Sequence, residues 1–364
     1  MVESSPAKVL IVDDVESSVD ELVSALGDLY DVRVAMDGQT ALETAAEDRP
    51  DLILLDIIMP DMDGYEVYER LSAAPETADI PVIFLTAKTE ESDEARGLAM
   101  GAMDYITKPF SLELVKARVK NHLNLKRYRD RLEDLVRERT REVVALQEVM
   151  INSLSALAET RDLETGGHIL RTQRYVRVLA EHLRSHPKFR VYLSEDGIID
   201  LLFKTAPLHD IGKVGIPDQI LKKPGKLSGE EFEEMKLHTA YGRSALRNAE
   251  ESMGGSTFLR IAAEIAATHH EKWNGQGYPC GLAGEDIPVS GRLMALADVY
   301  DALISRRVYK PPYSHAKAVE IITGERGKSF DPDVVDAFLA NEREFRDIAY
   351  NFLDSYGERL TLGT

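Results

Sequence analysis

Short apolar runs alternate with amphipathic stretches through the first third of the chain. KVLIVDD is followed by a helical pattern near 16–28, then DVRVA, a second helical pattern near 38–47, DLILLD, IPVIFLTA and DYITKPF. Runs this short, separated by helical periods, predict a parallel sheet covered by helices on both faces. Between 112 and 157 apolar residues recur at three- and four-residue steps: Leu125, Tyr128, Leu132, Leu135, Val136, Val143, Leu146 and Met150. Gly and Pro are absent there and charges are dense, which predicts one long helix suited to pairing as a parallel coiled coil, its seam interrupted by Arg139 and Glu142. From 153 onward the strand pattern ends. Ser228 and Glu231 form a capping box opening a helix, and 257–271, 289–305, 314–323 and 331–345 also read helical, so the second half is expected to be all-α.

Length and composition narrow this picture. A chain of 364 residues accommodates two domains and a connector. No apolar run approaches the roughly 20 residues that cross a bilayer, and the N-terminus carries no secretion pattern. Cys280 is the only cysteine, which excludes an intrachain disulfide and makes a reducing cytoplasm the expected location. A net charge of −19 argues against wrapping a nucleic-acid polymer. A small phosphorylated ligand remains compatible with it.

Asp13 and Asp14 close the first apolar run and Asp56 the third, and in such a sheet the carboxyl ends of the strands share one ligand-binding rim. Three converging carboxylates repel one another and call for a hard divalent cation, naturally Mg²⁺. Thr86 ends the fourth run and Lys108 follows the fifth, adding a hydroxyl and a cation. That set suits phosphoryl transfer onto a carboxylate.

The stretches IVDD, LLDIIMPDMDG, FLTA and TKP resemble the receiver domain of response regulators over the first 120 residues or so. The resemblance implies a flavodoxin-like, doubly wound five-stranded fold over 6–122, with a helical linker over 123–152. It also implies that Asp56 is the phospho-acceptor, fed by a cognate histidine kinase. Asp13 and Asp14 would hold Mg²⁺ with the Ile58 carbonyl, Thr86 and Lys108 would contact the phosphoryl oxygens, and Tyr105 would be the aromatic switch residue.

A second constellation follows in ETGGH (164–168), HDIGK (209–213), His238, HHEKWNGQGYP (269–279) and LADVYDAL with Asp298. Adjacent residues such as His209 and Asp210 cannot share a helix face, yet they can reach two metals lying side by side, the carboxylate bridging. Glu164, His168, His209, Asp210, His238, His269, His270 and Asp298 make eight candidate ligands. That is too many for one tetrahedral zinc and enough for two or three ions completed by water. Imidazole and carboxylate without thiolate suit iron or manganese. Two metals clamping a phosphodiester can activate a water for in-line hydrolysis.

LHDIGKVGIPD, HHEKWNGQGYP and DVYDALISRRVYK resemble the HD-GYP phosphodiesterases of the HD superfamily, over an expected domain of 153–350. The resemblance implies cyclic di-GMP as substrate, cleaved to pGpG and onward to GMP. It places the eight residues at the metals with Asp210 bridging, Lys213 near the scissile phosphate, Arg307 and Lys310 on substrate phosphate, and Tyr278 in the pocket-lining GYP loop. Val308 stands where the family usually carries proline, and Cys280 follows the GYP; neither removes a ligand. The expectation is a phosphorylation-controlled, metal-dependent cyclic di-GMP phosphodiesterase, dimeric through receiver and linker helix. Alternatives are a phosphodiesterase preferring pGpG or another cyclic dinucleotide, and a scaffold acting by protein contact. A DNA-binding output is not expected, because no basic recognition helix is evident.

Overall fold

A computed structural model of the chain describes residues 6–87, 103–159, 167–305 and 311–352. The chain divides into two compact units, Met1–Arg141 and Glu142–Thr364.

In the first unit, β1 (Lys8–Val12), β2 (Asp31–Ala35), β3 (Leu52–Asp56), β4 (Val82–Ala87) and β5 (Asp104–Lys108) form one parallel sheet in the order β2-β1-β3-β4-β5. Alternation along the strands sends successive side chains to opposite faces. Val9 and Ile11 join one buried cluster with Leu22 and Leu26 of α1 (Glu16–Leu26) and with Val115, Val119 and Leu123 of α4 (Leu112–Glu159). Leu10 and Val12 join the other, with Ala41 and Ala45 of α2 (Gly38–Asp48) and Val67 and Leu71 of α3 (Gly64–Ala73). This is the doubly wound receiver fold, with all five strands pointing their carboxyl ends to one edge. The side chains of Asp37 and Asp63 accept from backbone N–H groups and cap α2 and α3.

The long helix is continuous over Leu112–Glu159. Between Leu125 and Met150 it carries an exposed apolar stripe: Leu125, Tyr128, Leu132, Leu135, Val136, Val143, Leu146 and Met150 are each at least 45 % exposed.

The second unit is helical. It comprises α5 (Gly167–Leu183), α6 (Arg190–Leu193), α7 (Ile198–Thr205), α8 (Asp218–Leu221), α9 (Gly229–Ser252), α10 (Thr257–Thr268), α11 (Val289–Ile304), α12 (His315–Gly324), α13 (Pro332–Ala340) and α14 (Glu342–Asn351). The Ser228/Glu231 capping box opens α9 with both reciprocal bonds made. Its core gathers Tyr175, Tyr300, Phe338 and Phe345, with Tyr175 stacked on Phe345 at 4.6 Å. The single helix expected over 331–345 is instead two, broken at Asn341. The Asn341 side chain donates to the Ala337 carbonyl, satisfying the end of α13 where the chain turns into α14.

Candidate metal centre and acidic pocket

At the carboxyl edge of the sheet, Asp13, Asp14 and Asp56 bring carboxylate oxygens within 4.8 Å of one another. Lys108 Nζ, carried there by β5, lies 2.7 Å from Asp13 Oδ2 and 2.9 Å from Asp56 Oδ2. Burial raises the Asp56 carboxyl above its ordinary value despite Lys108, with Asp13 adding to the rise. A pocket that resists collecting negative charge in this way suits a divalent cation. Thr86 is buried, Tyr105 half-buried and Ile58 exposed.

In the second unit the histidines converge by a repeated local device. Three of them turn Nδ1 onto a backbone carbonyl of the preceding helical turn: His209 to Ala206 at 2.9 Å, His238 to Met235 at 2.7 Å and His269 to Ile265 at 3.1 Å. A carbonyl can only accept, so the proton is on Nδ1 and the Nε2 lone pair turns inward. Those lone pairs meet the Asp210 carboxylate. Its Oδ2 is 3.2 Å from His209 Nε2, while its Oδ1 is 3.3 Å from His238 Nε2 and 3.6 Å from His269 Nε2. Two clusters result, Asp210–His238–His269–His270 and His168–His209–Asp298.

The buried atoms Asp210 Oδ1, His238 Nε2 and His269 Nε2 find no hydrogen-bond partner. Burial depresses His238 to about 4 and His270 well below the ordinary imidazole value. Burial opposes the charge on Asp210 too, but Lys213 and His209 outweigh it and hold the carboxyl well below its usual range. Lys213 Nζ sits 2.8 Å from Asp210 Oδ2. The unpartnered Nε2 atoms of His238 and His269, aimed at the ionised Asp210 carboxylate, form a set that fits divalent cations.

Packing fixes this geometry at glycines. A methyl at Gly212, inside the HDIGK turn, would lie 1.9 Å from the His238 carbonyl, so only glycine lets that turn rest on α9. One at Gly277 would lie 2.3 Å from the Lys272 amide. The GYP loop thereby folds back on the residues after His270, and the Tyr278 ring comes 4.7 Å from that of His270.

Three residues missed in the sequence reading support the site. Asp301 accepts from His168 Nδ1 at 2.8 Å, and Arg171 clamps it with Nε on Oδ1 at 2.6 Å and Nη2 on Oδ2 at 2.8 Å. Glu271 is buried and takes backbone N–H groups of Cys280 at 2.7 Å and Leu282 at 3.0 Å, tying down the GYP loop. The usable signals were Asp301 three residues after Asp298, one helical turn on, and a third ionisable residue directly after His269-His270. Glu164, Arg307 and Lys310 lie outside the described residues.

Family models match in two places: the response regulator receiver domain at 9–120 and the HD domain at 198–334. A Vibrio cholerae protein named "Probable cyclic di-GMP phosphodiesterase" is 51 % identical over 97 % of this chain and 82 % of its own length. The chain belongs to the receiver–HD phosphodiesterase family of response regulators. The Xanthomonas campestris "Cyclic di-GMP phosphodiesterase response regulator RpfG" is 34 % identical, over 94 % of this response regulator and 90 % of its own length. A second Vibrio cholerae protein, "3'3'-cGAMP-specific phosphodiesterase 2", is 41 % identical over 54 % of this chain and 35 % of its own. The HD domain is that of metal-dependent hydrolases. Among the described residues, no helix is long and apolar enough to cross a membrane.

Proposed function

We propose that this response regulator hydrolyses cyclic di-GMP to pGpG, GMP or both in the cytoplasm, under control of phosphorylation at Asp56. The observation that carries the hydrolytic reading is the convergence of three buried atoms, Asp210 Oδ1, His238 Nε2 and His269 Nε2, none of which finds a hydrogen-bond partner. His168, His209, Asp298, His238, His269 and His270 would hold two divalent ions, iron or manganese by donor type, with Asp210 bridging and Glu164 available to a third. Such ions supply Lewis acidity to a phosphodiester and lower the pKa of water.

The protein side chains set up the rest. Lys213, held on Asp210 and nearly buried, is positioned to donate from Nζ to a phosphoryl oxygen. Asp301 and Arg171 keep the Nδ1 proton of His168 in place, so that its Nε2 stays an acceptor. Arg307 and Lys310 would take the substrate's outer phosphate oxygens. In the receiver, Asp13 and Asp14 with the Ile58 carbonyl would hold Mg²⁺, Thr86 and Lys108 would receive the phosphoryl group arriving from a histidine kinase, and Tyr105 would respond. The exposed stripe from Leu125 to Met150 supports pairing of α4 with a second copy.

The identity to a 3'3'-cGAMP phosphodiesterase favours one second reading, a preference for a mixed cyclic dinucleotide. Competition between cyclic di-GMP and 3'3'-cGAMP on metal-loaded protein, followed by chromatography, tests both. Preferential loss of cyclic di-GMP supports the first, preferential loss of 3'3'-cGAMP the second, and loss of neither removes both.

A further inference from the structure

Phe232, at the start of α9, leaves its ring 45 % exposed beside the buried histidines. Its centroid lies 6.1 Å from that of Tyr278, with the rings nearly perpendicular. Tyr278 in turn lies 4.7 Å from His270 and 6.4 Å from His238. Lys236, one helical turn after Phe232, sets Nζ 5.0 Å from the Phe232 centroid and 5.5 Å from that of Tyr278, while donating to Glu233 at 2.6 Å. Aromatic rings therefore succeed one another from His270 through Tyr278 to the exposed Phe232, with the Lys236 cation beside the last two. An exposed phenyl ring gains from a flat, polarisable partner, and every nucleobase offers one.

We propose that Phe232, Tyr278 and Lys236 form a nucleobase subsite. A purine stacks on the exposed Phe232 face, bordered by the Tyr278 edge, and a ring carbonyl accepts from Lys236 Nζ. Glu271 serves this subsite by fixing the loop that carries Tyr278. The assignment rests on the reading of the substrate as a dinucleotide. It gives that reading a source of base selectivity, because guanine presents a carbonyl where adenine presents an amine donor that Lys236 would repel.

Calorimetric binding of GMP, AMP and ribose 5-phosphate to the full-length, manganese-loaded protein tests this without requiring turnover. Phe232→Ala is expected to weaken GMP roughly tenfold and to leave ribose 5-phosphate within about twofold, as stacking on one aromatic ring predicts. Phe232→Trp restores GMP binding, and Lys236→Met narrows the gap between GMP and AMP. Equal losses for GMP and ribose 5-phosphate, an unchanged GMP constant, or no GMP binding by the parent protein would overturn the subsite. Failure of the parent protein to cleave any cyclic dinucleotide would instead remove the functional reading, whatever the calorimetry gives.

Discussion

His209 and Asp210 are adjacent in the chain, and the Nε2 of one lies 3.2 Å from the Oδ2 of the other. The short turn at Ala206–Leu208 allows this by turning His209 Nδ1 back onto the Ala206 carbonyl, while Asp210 Oδ1 reaches on to His238 and His269. One carboxylate thus joins two clusters. Asp210→Asn preserves shape but removes the charge and sets an amide among imidazole lone pairs. It is expected to lower bound metal, read by mass spectrometry of the purified protein, and to reduce turnover by more than ~100-fold.

Arg171 and Asp301 form a buried ion pair, each about 1 % exposed. Arg171→Met strands the carboxylate, and a cost of about 3–5 kcal/mol is expected in denaturant titrations. Burial alone would raise the Asp301 carboxyl, but Arg171, with help from His168, holds it well below its ordinary range. A depressed carboxyl contributes stability that is full above the unfolded value, near ~3.9, and that disappears as pH falls towards the folded one. Acid should therefore destabilise the parent protein below about pH 4 more steeply than Asp301→Asn. Equal slopes would contradict the assignment.

Gly212→Ala places a methyl group 1.9 Å from the His238 carbonyl, where backbone faces backbone and no side chain can yield. The turn must lift off α9, carrying Asp210 away from His238. Loss of about 1–3 kcal/mol of stability is expected, with a fall in metal content that Gly229→Ala, in open space, does not share. Equal metal content in the two variants would show that the contact does not set the site.

In the receiver, Lys108 bridges Asp13 and Asp56. Asp56→Asn should abolish every effect of beryllofluoride on turnover and on sedimentation, because that reagent needs the carboxylate. Pairing of two copies along the exposed α4 stripe predicts that Leu132→Glu with Leu146→Glu shifts sedimentation towards the monomer. Unchanged sedimentation would mean that the stripe is not where two copies meet.

The acidic pocket was legible because Asp13, Asp14, Asp56 and Lys108 stand at the carboxyl ends of their strands, and a parallel sheet necessarily brings those ends to one edge. The α9 capping box was equally local. The metal-facing histidines could be found from motif spacing, but their tautomers could not. Those depend on the turns that bring the carbonyls of Ala206, Met235 and Ile265 to the Nδ1 atoms, which is a matter of turn geometry. Arg171 and Asp301, 130 residues apart, become partners only through packing of α5 against α11, and alone each reads as an ordinary helical charge. The break at Asn341 was hidden because apolar spacing continues across it.

Metal-dependent hydrolysis at Asp210 is decided by turnover of cyclic di-GMP with anaerobically purified protein loaded with ferrous iron or manganese, beside Asp210→Ala. Loss of substrate with appearance of pGpG or GMP is expected, and neither in the variant. Intact substrate at every metal loading, with and without beryllofluoride, would contradict it, as would equal cleavage by Asp210→Ala.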